Sequence, residues 1–203
     1  SKTESGDVLL DIEPTILSYK VLFNNQEIGV FNFVNGTILA SFKLNGKQYE
    51  ITEFSGNYIL FEASNSINTS SFSCAVDSAV ISNSYEQVQI ASAAPSLPVC
   101  VELAIEIDQY TRQTFASDLE AINWAFAIMA GVSQVYEAET NAAIQVVYSY
   151  VWNTTDPYSA WVAQSSAMLS ELKDYWQINN AAVNRDLVHL MTKRSNTGTG
   201  GIA

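Results

Sequence analysis

Two Asn-Gly dipeptides set between short apolar runs constrain the front of this chain more than any other feature. Asn35-Gly36 separates the runs 28–34 and 37–44, and Asn45-Gly46 separates 37–44 from 47–52. A two-residue hairpin turn of type I′ needs positive φ at both central residues, which asparagine and glycine tolerate best. Ser55-Gly56-Asn57 turns the chain again into 58–62, and 17–23 supplies one more aliphatic and aromatic run at the front. These signals predict an antiparallel meander.

The pattern changes after a stretch rich in Ser and Ala. Residues 75–99 carry Pro95 and Pro98 and read as a connector. Beyond it, Val101 to Asp108 reads as a strand, and the apolar period then becomes helical. Leu119, Ile122, Phe126, Met129, Val132 and Tyr136 recur at spacings of three and four, so they share one helical face. Ala121, Ala125, Ala127 and Ala130 favour that helix and permit close packing. Residues 142–152 read as a buried strand. Asp156-Pro157 reads as the N-cap and first position of a second helix, with Trp161, Met168, Leu172, Tyr175 and Trp176 as its stripe. Residues 185–192 close the series as a third strand. Strand, helix, strand, helix, strand predicts a mixed α/β sheet with right-handed crossovers where neighbours run parallel. The expected fold class is therefore α+β: a β-rich domain over 1–74, a linker over 75–99, and a mixed α/β unit over 100–203.

Composition bounds the function. The formal charge of -12 argues against nucleic acid as a partner, because phosphates demand a basic face. No apolar run approaches the ~20 residues of a membrane span. Residues 1–7 are polar and read as no signal peptide, so either the protein is cytosolic or its signal has already been removed. Cys74 and Cys100 are either two unpaired thiols or one disulfide, which would stabilise by roughly 3 kcal/mol through loop closure. Asn35, Asn68 and Asn153 each open an N-x-[ST] triplet, meaningful only in a eukaryotic secretory pathway.

The ordered series after the connector resembles the first half of a reprolysin-like metzincin zinc-peptidase domain. Leu103-Ala104-Ile105-Glu106-Ile107-Asp108-Gln109-Tyr110 is similar to that family's opening strand. Val135-Tyr136-Glu137-Ala138 is similar to the end of its first helix. Arg185-Asp186-Leu187-Val188-His189-Leu190-Met191-Thr192 resembles its third strand, and Gly200-Gly201-Ile202-Ala203 the start of the edge strand that lines the substrate cleft. The resemblance implies a partial metzincin-like N-terminal subdomain preceded by a pro-region. It also implies a secreted or cell-surface metalloendopeptidase zymogen with zinc in the full-length parent, acting on protein or peptide substrates.

The family's zinc is held by His-Glu-x-x-His on a helix and a further histidine. This chain has one histidine, so no catalytic residue and no metal ligand is assigned, and these 203 residues alone are expected to be inactive. A complementing C-terminal segment or partner chain is expected instead. Family pro-regions also imply a latency role for Cys74 or Asp77, in competition with a Cys74–Cys100 bridge. The alternative is a non-catalytic extracellular binding or structural module on a degenerate peptidase scaffold. His189 reads as a hydrogen-bonded structural histidine. Glu102, Glu106 and Asp108 alternate on one strand face, where a solvated face is favoured over a cation site. Glu137 and Glu139 read as a solvated helix terminus, their charge opposing the macrodipole.

Overall fold

In the computed structural model, which describes residues 2–3, 6–7, 15–66 and 99–201, the period-two segments pair in chain order. A short antiparallel pair, β1 (Lys2–Thr3) and β2 (Gly6–Asp7), comes first. β3 (Leu17–Phe23), β4 (Gln26–Val34), β5 (Thr37–Leu44), β6 (Lys47–Phe54) and β7 (Asn57–Glu62) then form a five-stranded antiparallel sheet in that order. Each connection is a two-residue turn with positive φ at both positions: Asn24-Asn25, Asn35-Gly36, Asn45-Gly46 and Ser55-Gly56. This is the backbone of a type I′ turn, whose twist matches that of the strands. The Asn24-Asn25 turn lacks the glycine that marks the others and is not evident in the sequence.

Gly29 of β4 has no room for a side chain beside β5. A Cβ there would lie 2.2 Å from the Ser41 carbonyl oxygen and 2.4 Å from Phe42 Cα. Both are backbone atoms of the next strand, so they cannot swing away. Gly29→Ala is expected to lower stability by about 1–3 kcal/mol, read as a shift in the urea midpoint without a change in slope.

The second unit is an α/β arrangement around three parallel strands. β8 (Val99–Ile107) lies between β9 (Ala142–Val151) and β10 (Leu187–Met191), and both pairings are parallel. Helices α1 (Gln109–Arg112) and α2 (Asp118–Thr140) connect β8 to β9, and α3 (Ser165–Asn179) lies between β9 and β10. Alternation along β8 divides the core. Leu103, Ile105 and Ile107 pack with Ala121, Ile122, Ala125 and Met129 of α2. Ala104 packs on the other side with Tyr150, Trp152, Met168, Leu172 and Trp176.

α2 starts where Ser117 caps it, the hydroxyl accepting from Glu120 N at 3.2 Å, and ends at Asn141 with φ 55°. Its single expected apolar stripe describes only half of its burial. Asn123, Ala127 and Ser133 are buried as well, while Tyr136 is exposed. The cause is a second covering layer. Val30, Asn32 and Val34 of β4 are buried, the Asn32 Nδ2 group donates to the Ala127 carbonyl at 3.1 Å, and Val30 lies against Gly131. The meander thus docks on α2, which is sandwiched between two sheets, and its small residues make that close approach possible.

The second helix begins later than the sequence suggests. Pro157–Trp161 forms a short 3₁₀ turn, Ala163 takes φ 71°, and α3 starts at Ser165. Met168, Leu172 and Trp176 are its buried stripe, whereas Trp161 lies outside it and is partly exposed. Asp156 makes no side-chain cap to the turn that follows it. Cys74, Asp77, Asn68, Ile202, Ala203 and linker positions 75–98 lie outside the described residues.

Candidate functional site

The carboxyl ends of parallel strands are where open α/β sheets gather functional groups. Here Asp108 follows β8, Trp152 and Asp156 follow β9, and Thr192 and Arg194 follow β10. Asp108 is fully buried and accepts from Thr111 N at 2.8 Å, which caps α1, and from the Thr192 hydroxyl at 2.8 Å. The Arg194 guanidinium donates to Asp108 Oδ2 at 2.9 Å, approaches Asp156 Oδ2 at 3.9 Å, and stacks 4.8 Å from the Tyr110 ring. Asp156 Oδ2 accepts from Gln109 N at 3.0 Å, so this residue serves the start of α1 rather than the helix it precedes in sequence. Burial pushes the Asp156 carboxyl above its ordinary range, opposed by the Gln109 amide. The cluster anchors the chain leaving β10.

That chain, residues 192–201, runs on from the end of β10. With β10, α2 and α3 it encloses a groove of about 270 Å³ lined by Trp124, Ile128, Met168, His189, Thr199 and Gly201. Gly200 and Gly201 lie in the lining of this groove. Gly201 is held by Thr199, whose hydroxyl donates to the Gly201 carbonyl at 2.9 Å. His189 lies in the groove wall with its outer edge exposed and makes no side-chain hydrogen bond among the described residues, contrary to the reading of a hydrogen-bonded histidine. Its apolar surroundings lower its pKa from the ordinary histidine value. A neutral imidazole on an open strand edge can accept or donate one hydrogen bond.

Glu106 departs furthest from expectation. It is not on a solvated face but wholly buried on the α3 side of β8. Its Oε1 accepts from the Trp152 indole N–H and, at 2.8 Å, from the Tyr158 hydroxyl, and its Oε2 accepts from the Trp176 indole N–H. No cation pairs with it among the described residues. Burial drives the carboxyl up to about 7 against the pull of those three donors. Nothing local marks this role, because the donors lie far along the chain; the richness in Trp and Tyr after residue 148 is the one available signal.

The other charged candidates are tied into structure. Glu102 accepts from Asn184 Nδ2 at 2.8 Å. Glu137 is half-buried, accepting from Ser133 Oγ at 3.1 Å and pairing with Lys20 of the meander at 3.3 Å, so the α2 terminus is not simply solvated. Cys100 is an exposed free thiol donating to Gln145 Oε1 at 3.3 Å. Asn35 is committed to α2, and Asn153 donates to Asp118 Oδ2 at 2.9 Å.

A zinc site needs at least three converging His, Cys, Asp or Glu ligands. No such group exists among the described residues, and His189 is the only histidine of the chain. The described residues do not fit zinc, and no catalytic step is assigned to them.

A parallel sheet covered by helices on both faces is an α/β scaffold that serves many chemistries, so the fold alone does not name the activity. The model of metallo-peptidase family M12 matches residues 99–203, which contain the whole of this sheet and its helices, and the chain belongs to that reprolysin-like family. No curated protein matches the chain.

Proposed function

We propose that this chain is the N-terminal portion of a secreted zinc-dependent metalloendopeptidase zymogen. The observation that carries the reading is the family match, which spans β8, β9, β10 and their helices and includes the open-edged groove. In this reading the meander over 1–74 is the pro-region, 75–99 is the segment cut on activation, and the zinc ligands come from a complementing C-terminal segment. β10 and the 198–201 glycine segment form one wall of the cleft that receives a peptide. Cys74 or Asp77 holds latency; full latency of Cys74→Ala and Asp77→Ala variants of the parent would remove that role.

The second reading is a non-catalytic extracellular module. It is favoured by the outer face of the meander, where Leu17, Tyr19, Phe33, Tyr58 and Leu60 are exposed together on one side of the sheet.

Intact mass and zinc content of the unreduced protein from its native source separate the two. Stoichiometric zinc with a mass well above that of these 203 residues, or with a co-purifying fragment, is the expected result. A mass matching these residues alone, without zinc, would leave the module reading in place.

A further inference from the structure

Two Asn-Gly turns on the same sheet share a backbone and differ in surroundings. Asn35 and Asn45 both have φ 51°, and Gly36 and Gly46 have φ 78° and 77°. Asn45 is exposed, and its side chain makes no hydrogen bond among the described residues. The Asn35 carboxamide is engaged at both ends. Its Nδ2 donates to the Glu120 carbonyl at 3.0 Å, and its Oδ1 accepts from Asn123 Nδ2 at 2.9 Å. Asn123 is 1% exposed and also exchanges hydrogen bonds with Thr15 at 3.0 and 3.1 Å. Asn32, Asn35 and Asn123 together fasten the meander to α2.

Asparagine followed by glycine is prone to self-modification, because no Cβ shields the glycine nitrogen from the asparagine carboxamide. The Gly36 nitrogen loses its proton and attacks Asn35 Cγ. The new C–N bond closes a succinimide, the Cγ–Nδ2 bond breaks, and ammonia leaves. Water then opens the imide to aspartate or isoaspartate, with no change of oxidation state.

We propose that Asn35-Gly36 is a modification site gated by docking of the meander on α2. While the meander is seated, both ends of the Asn35 carboxamide are held and ring closure is blocked. Once it lifts, the side chain is as free as that of Asn45 and converts. The product cannot reseat as before: a carboxylate oxygen replaces the donor that faced the Glu120 carbonyl, setting acceptor against acceptor. Isoaspartate also lengthens the backbone inside a turn that two residues must close. Release of the meander is thereby made one-way. The inference requires a detachable meander, as the pro-region reading has it, but not the peptidase chemistry, so a zinc result and a conversion result fail separately.

The test is peptide mapping by mass spectrometry of the full chain held at mildly alkaline pH. Asn45 is expected to accumulate the acid form, with Asn35 slower by about tenfold or more, as for a group exposed only by local opening. Equal rates at the two sites, or no conversion at Asn45, would overturn the proposal. In Asn123→Ala, Asn35 is expected to approach the Asn45 rate while Asn45 itself is unchanged; an unchanged Asn35 rate would count against the gate. If that variant does not fold, Asn35→Asp decides the second half. Faster amide exchange across Asn32 and Ala127 is expected, and unaltered exchange would sink the one-way release.

Discussion

Glu106→Ala is expected to remove most or all cooperative folding of the chain. Three buried donors, the indole N–H groups of Trp152 and Trp176 and the Tyr158 hydroxyl, converge on this one carboxylate. Stranding a buried donor costs about 1–3 kcal/mol, so losing the acceptor shared by three of them costs about 3–9 kcal/mol before any cavity is counted. That is a large part of the roughly 5–15 kcal/mol by which a domain of this kind is stable. Near-ultraviolet circular dichroism reads the outcome directly, since Trp152, Trp176 and Tyr158 are themselves the chromophores. Retention of the native spectrum and urea midpoint would show that the buried carboxylate contributes little.

Glu106→Gln tests the same site through pH. Burial places the folded-state pKa of Glu106 at about 7, above its ordinary value of 4.5. The folded chain therefore holds the proton across that window while the unfolded chain does not. The Glu106 contribution is most favourable below about pH 4.5, falls as pH rises to about 7, and is flat above. Urea midpoints of the wild-type chain should carry this slope, and Glu106→Gln should lose it. The glutamine chain is also expected to be weaker by about 2–3 kcal/mol at low pH, because its amide nitrogen sets a donor against a tryptophan donor. An identical pH slope in the two chains would refute the assignment.

Arg194→Met is the other large effect expected. The guanidinium is the cation nearest the fully buried Asp108 and Asp156 carboxylates. Removing one member of a buried charge cluster leaves the rest uncompensated, at a cost of about 3–5 kcal/mol. The two carboxylates are also the caps of α1, so amide protection should fall first at Gln109 and Thr111 and along residues 192–201. Adding Asp156→Asn should recover part of the loss, since Asp156 Oδ1 already finds no partner among the described residues. If the double variant is no more stable than Arg194→Met, the cluster is not coupled through charge.

The meander shows how far local chemistry reaches. Asn35-Gly36, Asn45-Gly46 and Ser55-Gly56 place three of its four turns, because positive φ is a property of those residues wherever they stand. The Asn24-Asn25 turn escapes the same reasoning because either asparagine is at home in several conformations and only the pairing of β3 with β4 selects this one. The existence of α2 is legible in its apolar period, whereas its ends at Ser117 and Asn141 are read from the structure. The peptidase likeness of residues 99–203 rests on such local words in series, and the family match agrees with it.

The candidate site was legible only in part. Gly200 and Gly201 line a groove, but no local feature of the sequence marks the helices and strand that form the rest of it. Glu106 and Asp156 were misread, one as a solvated carboxylate and one as the cap of the next helix. Their identities are the same in either setting; what differs is which groups arrive from other strands and helices. Local sequence is enough for three of the four hairpin turns and for the order of strands and helices, since those follow from each residue's own backbone and side-chain preferences. Tertiary structure alone decided that α2 has two buried faces, that Glu106 gathers three distant donors, and that Asp156 serves α1. Burial and hydrogen-bond partnership are settled between residues far apart in the chain, and no local preference encodes them.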